Sequence, residues 1–152
     1  MPGHDSSPQP DWRYDMIPFN VERIDHIVLR VSDLQRSIEF YGQVLGCAVD
    51  RNRPDLGLVH LRAGASMIDL VDINGPLGVR GGRAPGDEGR NVDHVCLRVD
   101  RFDEARIHEH LARFGLMADA AQRRYGAEGT GYSLYFPDPD GNQVEIKGPS
   151  ET

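Results

Sequence analysis

Cysteine is scarce in this chain. There are two, Cys47 and Cys96, in 152 residues. That is too few for a disulfide framework, and neither belongs to a C-x-x-C pair. Both read as small buried apolar side chains in a reducing cytoplasm, with a catalytic or bridged role as the alternative. Long apolar runs are also missing. Stretches such as Ile27-Val28-Leu29 fall far short of the roughly 20 residues that span a bilayer, so no membrane segment is expected. The opening MPGHDSSPQPDW has neither a basic start nor an apolar core, which argues against a secretory leader and for a cytoplasmic protein. Nor is there a cluster of basic residues. Against 17 Lys and Arg stand 24 Asp and Glu, a net charge of −7, which argues against nucleic acid as a partner. The length fits one domain, and a chain of this size buries roughly two-thirds of its unfolded surface without a disulfide or a structural metal.

What is present is a repeat. Ile24 to Val31 (IDHIVLRV) returns 68 positions later as Val92 to Val99 (VDHVCLRV). Asp, His, Leu, Arg and Val match, and the segments read as strands: short, apolar and β-branched. A helix follows each. In the first copy Ser32 and Gln35 form a capping-box pattern, Leu34, Ile38, Tyr41 and Leu45 recur at helical spacing, and Gly46 closes the element. In the second, Asp100 is the expected cap, Ile107, Leu111 and Phe114 carry the stripe, and Gly115 ends it. Strand-like segments come next: Ala48 to Arg51, Leu58 to Arg62 and Met67 to Ile73, then Leu116 to Ala118, Ser133 to Phe136 and Gln143 to Lys147. The expected fold is therefore α+β. It has two βαβββ modules, 21–74 and 91–148, forming a cupped mixed sheet. Residues 1–20 are expected as a disordered tail and the Gly-rich segment 75–90 as a linker or active-site loop.

Side chains alternate faces along a strand. In the first strand of each copy Ile27, Leu29, Val31 and Val95, Leu97, Val99 suit packing on a helix. His26 and Arg30, and His94 and Arg98, project from the other face. The last strands share a second device, a carboxylate between apolar neighbours: Asp69 in Ile68-Asp69-Leu70 and Glu145 in Val144-Glu145-Ile146. A charge so placed is costly unless it is paired or binds a metal. If the copies assemble about a pseudo-twofold axis, His26, Asp69, His94 and Glu145 converge. Two imidazoles and two carboxylates suit a divalent cation such as Mn, Fe, Ni, Co or Zn, with positions left for water or substrate. Asp69, the shorter acid, reaches such an ion directly or through a water.

These residues resemble the vicinal oxygen chelate superfamily, also called the glyoxalase/bleomycin-resistance/dioxygenase superfamily. The resemblance spans residues 22 to 148. Its most specific part is Tyr135 to Glu145 (YFPDPDGNQVE), which is similar to the family's Y-F-x-D-P-D-G-N-x-x-E signature. Asp138-Pro139-Asp140-Gly141 is a tight turn that launches the strand bearing Glu145. The resemblance implies paired βαβββ modules forming a glyoxalase-like cup around a metal, often in a homodimer. Whether the modules pair within one chain or swap across a dimer is left open.

Within the superfamily, glyoxalase I and the methylmalonyl-CoA epimerases carry one ligand on each of four strands, the places held here by His26, Asp69, His94 and Glu145. Extradiol dioxygenases share the Tyr135 to Glu145 tract but place a catalytic His in the interval corresponding to Gly126 to Glu128, which holds none. Fosfomycin-resistance enzymes share Ser133-Leu134-Tyr135-Phe136, a tract that helps bind the phosphonate, but lack a ligand at the Asp69 position. Bleomycin-resistance-type members bind a drug without metal. The resemblance thus implies a metal-dependent enzyme of the glyoxalase lyase/isomerase type, acting on a small oxygen-chelating substrate through an enolate or alkoxide. The alternatives are a fosfomycin-resistance-like transferase or hydrolase, a dioxygenase and a drug-binding protein. Glu145 or Asp69 would act as base. Tyr135 either donates to a substrate oxygen or packs. Arg30 and Arg98 either attract an anionic substrate or form rim salt bridges. His60 acts as acid or base or is structural. Ser133 belongs to the substrate-binding set through the shared tract.

Overall fold

The computed structural model describes residues 16–151. Each repeat forms its own four-stranded mixed sheet. The first module comprises β1 (His26–Val31), α1 (Leu34–Gln43), β2 (Val49–Arg53), β3 (Leu58–Ala63) and β4 (Ser66–Asp72). The second comprises β5 (His94–Arg98), α2 (Glu104–Ala112), β6 (Gln122–Gly126), β7 (Gly129–Pro137) and β8 (Gln143–Lys147). The sheet orders are β1-β4-β3-β2 and β5-β8-β7-β6, so the two modules have one topology. The first and last strands of each module pair in parallel, which requires the intervening helix as a crossover. Among the described residues no helix is long and apolar enough to cross a membrane.

The expected helices form, but their caps lie further along. Asp33, not Ser32, caps α1 by accepting from the Arg36 amide at 3.1 Å. Asp103, not Asp100, caps α2 by accepting from Arg106 at 3.2 Å. The Ser32 amide instead donates to Asp140 of the second module. Gly46 and Gly115 follow the helices with φ of 71° and 70°, the left-handed conformation that glycine adopts freely.

Two strand expectations need correction. Leu116 to Ala118 forms no strand, whereas Gln122–Gly126, which is not among the expected strands, is β6. β6 is an edge strand of sequence QRRYG, held by backbone bonds to β7 rather than by apolar side chains. The linker is not featureless either. It contains a 3-10 turn at Gly78–Gly81 and a Gly86/Gly89 bridge. The expected tail falls outside the described residues except for Met16 to Asn20, which are exposed.

The core joins the modules. Leu29, Leu61, Leu70, Leu111, Leu134 and Phe136 are all but inaccessible and belong to one cluster. α1 presses on the second module's β7–β8 turn. Phe40 packs on Phe136 with centroids 6.2 Å apart, and the buried Tyr41 hydroxyl donates to Asp138 at 2.8 Å. His110 of α2 bonds the Val44 carbonyl, and the Asn91 amide caps the Arg30 carbonyl. Cys47 is buried as expected; Cys96 is not, and its thiol lies on the polar face of β5.

Candidate functional site

Strand register assembles the polar face of each module. In the first, Asp69 lies between Val28 on β1 and His60 on β3. His26 shares the parity of Val28, so His26, Asp69 and His60 occupy one face. In the second, Glu145 lies between Cys96 on β5 and Tyr135 on β7, with His94 on the same face.

Each histidine is oriented by the residue before it. His26 Nδ1 lies 2.8 Å from Asp25 Oδ1, and His94 Nδ1 lies 2.7 Å from Asp93 Oδ1. A carboxylate on Nδ1 keeps the proton there and turns the Nε2 lone pair outward, the arrangement found behind metal-binding imidazoles. The Asp25 hydrogen bond, with the negative charge of Asp69, raises the His26 pKa; the same bond lowers that of Asp25. His94 Nε2 points to Glu145 Oε1 at 3.6 Å.

The two carboxylates have different company. Asp69 faces one group, His60, whose Nδ1 is 2.8 Å from Oδ1. Glu145 is surrounded by donors: Ser133 Oγ at 3.0 Å and Cys96 Sγ at 3.1 Å, both to Oε2, and the Tyr135 hydroxyl. Burial by itself would raise its pKa. Tyr135, Cys96 and Ser133, with the charge of His94, more than offset this and hold Glu145 below the usual carboxylate range. The donors respond in the opposite sense. Burial and the bond to Glu145 push the Cys96 thiol up to about 12, and the same causes raise the Tyr135 phenol.

The remaining candidates are placed as follows. Ser133 is 1% exposed and spends its hydroxyl on Glu145, so it orients that carboxylate. Arg30 donates to four carbonyls of the linker, those of Gly78, Gly81, Gly82 and Arg83, at 2.8 to 3.2 Å, which makes it a clasp for that loop. Arg98 pairs with Glu128 at 3.1 Å, the rim salt bridge. Sequence reasoning missed Asp25, Asp93 and Cys96. The repeated Asp-His dipeptide was the available signal for the first two.

Within one chain the four expected metal ligands form two pairs, not a quartet. Among the described residues no group of three or more His, Cys, Asp and Glu side chains is placed to hold an ion. A cavity of about 420 Å³ lies elsewhere, lined by Ile27, Cys47, Met67, Ile68, Val95 and Leu97, and none of the four ligands borders it.

Residues 23–146 match the model of the Glyoxalase/Bleomycin resistance protein/Dioxygenase superfamily. The chain belongs to this superfamily. Virulence protein STM3117 of Salmonella typhimurium is 31% identical over 135 residues, covering 88% of each chain. Its crystal structure superposes with a TM-score of 0.71 at 28% identity, over 87% of this chain and all of that one. A probable lactoylglutathione lyase of Vibrio cholerae is 29% identical over 82% of this chain and 88% of its own. Metallothiol transferase FosB of Lysinibacillus sphaericus is 27% identical over 83% and 82%. The glyoxalase-like fold and the family expected from the Tyr135 to Glu145 tract are therefore correct. The relatives carry different reactions, and none decides the chemistry of this chain.

Proposed function

We propose that this protein is a divalent-metal enzyme of the lyase/isomerase type, active as a homodimer on a small oxygen-chelating substrate. His26 and Asp69 of one copy would face His94 and Glu145 of a second, so that two half-sites make each metal centre. The observation that carries the reading is the pair of pre-oriented imidazoles. Each has Nδ1 locked by its preceding Asp and shares a face with a carboxylate, and His94 Nε2 already faces Glu145 Oε1 at 3.6 Å. Such a donor set fits Mn, Fe, Co, Ni or Zn.

When bound, the ion would supply Lewis acidity to two substrate oxygens and favour an enolate or alkoxide. The chain's residues divide the remaining work. Glu145, held ionised by three donors, suits a ligand. Asp69 has a single partner, and its proton can be handed to His60 Nδ1 at 2.8 Å, which suits the base. Tyr135 keeps its phenolic proton at neutral pH and stands against Glu145, where it can donate to a substrate oxygen.

Metal content and trans-complementation test this together. Wild type loaded with Mn, Co or Zn and dialysed should retain about one ion per chain. His26→Ala and His94→Ala should each retain none. Co-expressed and purified as the mixed dimer, the two variants should recover one ion per dimer, because one composite site keeps both histidines. An empty wild type refutes the metal. An empty mixed dimer refutes the shared site. Assays with methylglyoxal plus glutathione, fosfomycin plus thiols, and a catechol then sort the reactions.

A further inference from the structure

Five large apolar side chains gather just before β1 with nothing over them. Met16, Ile17, Phe19, Val21 and Ile24 are all exposed, Phe19 at 66%, Val21 at 84% and Ile24 at 71%. Single exposed apolar side chains are ordinary, but five within nine residues form a patch that calls for a cover. The repeat supplies an internal control. Val92 holds in the second module the place that Ile24 holds in the first, and Val92 packs on the core. None of the five residues before β1 belongs to that core. Their own chain leaves them in water.

The cavity beside them is uncovered as well. It has a volume of about 420 Å³ and lies between the modules, lined by Ile27, Leu45, Ile68, Val95, Leu97 and Val99, with Ile24 at its border. One wall is β5, an edge strand that pairs only with β8 among the described strands, so its outer backbone groups are open to an extended segment. The eight residues before Ile24 span at most about 26–29 Å when extended, a reach that carries them past their own cavity to that of a neighbouring copy. A small ligand or an unrelated protein in the cavity would still leave these side chains in water. A second copy covers segment and cavity together, and twofold symmetry makes the contact twice.

We propose that residues 16–24 form an arm exchanged between two copies of this chain, with Phe19 and Val21 entering the apolar cavity between the modules of the second copy. The exchange takes from the reading above only the presence of that second copy, and it needs no metal.

Metal-free, full-length protein tests it. A nitroxide attached at Asn20→Cys in a Cys96→Ser background leaves the apolar side chains of the arm in place, and Cys47 is buried and stays unlabelled. That chain is mixed in excess with 15N-labelled wild type. The Leu45, Val95 and Leu97 amides of the 15N chain should broaden, because the nitroxide belongs to the other copy. The Phe19→Asp/Val21→Asp double variant, altered outside the core, should keep its circular dichroism and dimerise about tenfold more weakly or worse in sedimentation. Cavity amides that stay sharp in the mixture overturn the proposal, and if they broaden only with the nitroxide on their own chain, each arm covers its own cavity. A double variant that dimerises as wild type does also overturns it, as does a wild type that sediments as a monomer at every concentration. The two readings fail apart. A chain that exchanges arms but retains no ion refutes the metal and keeps the arm; a mixed dimer that recovers its ion without cavity broadening refutes the arm and keeps the metal.

Discussion

Removing one hydroxyl at the join between the modules should loosen the whole molecule. Tyr41 is 2% exposed on α1, and its hydroxyl meets Asp138, 5% exposed, in the turn before β8. The Asp138 carboxylate accepts four bonds. Oδ1 takes the amides of Asp140 and Asn142 at 3.0 and 2.8 Å, and Oδ2 takes Tyr41 at 2.8 Å and the Asn142 side chain at 3.0 Å. Tyr41→Phe deletes one charge-assisted bond of the four. Hydrogen bonds to charged groups contribute about 1.5–3 kcal/mol, and three donors remain, so a loss of about 2 kcal/mol is expected. For a chain of this length that lowers the melting temperature by about 4–8 °C. Asp138→Asn keeps Oδ1 but turns an amide toward two donors and should cost about 3 kcal/mol. The two changes share one bond, so the double variant should cost less than their sum by at least about 1 kcal/mol. Urea unfolding followed by circular dichroism, at one fixed chain concentration, measures all four proteins. A Tyr41→Phe protein within about 0.5 kcal/mol of wild type, or an additive cycle, would show that the turn does not anchor α1 in this way.

Other substitutions probe single features. Arg30→Met removes the donors that hold the carbonyls of Gly78, Gly81, Gly82 and Arg83, so trypsin should cut after Arg80 and Arg83 about tenfold faster than in wild type at equal global stability. Gly78→Ala would set a methyl 1.9 Å from the Asp72 carbonyl oxygen; a stability loss above about 3 kcal/mol, read by urea unfolding, is expected. Asp33→Ala and Asp103→Ala should each cost about 1 kcal/mol and add in the double variant, whereas Ser32→Ala and Asp100→Ala should change little.

Parity along the strands made much of this legible beforehand. Alternation in IDHIVLRV and VDHVCLRV places His26 and His94 opposite the helix-packed residues, and the structure has them so. Edge strands left no such trace. In β6, Arg123, Arg124 and Tyr125 are held by ladder bonds to Tyr132, Gly131 and Thr130, and neither face buries an apolar row, so periodicity has nothing to report. The helix caps were displaced for a related reason. Ser32 and Asp100 have the right chemistry, but the chain stays extended through Asp33 and Asp103, and only there does the side chain reach an amide three residues on. Strand parity gives only the face of Arg30. Its partners lie 48 to 53 residues away in the linker, and no local pattern encodes that distance.

The asymmetry between the half-sites follows from register, which a repeat search does not supply. His60 and Tyr135 occupy the same place in the two modules, each the strand partner of the carboxylate, on β3 and β7. The equivalent positions on β1 and β5 are Val28 and Cys96. So duplication placed two carboxylates alike, and divergence of their neighbours made them chemically unlike. One has an imidazole beside it and an apolar side chain on the other flank. The other has a phenol, a thiol and a serine hydroxyl. Pairs of acids whose surroundings differ in this way are how one site comes to hold both a fixed anion and a proton acceptor. Removing the phenol beside Glu145 tests that logic. Tyr135→His should remove one of the donors that keep Glu145 ionised and raise its pKa. The Glu145 carboxyl resonance, followed against pH in metal-free protein, should titrate at higher pH in the variant than in wild type. Equal titration of Glu145 in wild type and Tyr135→His would mean that the neighbours do not set the difference.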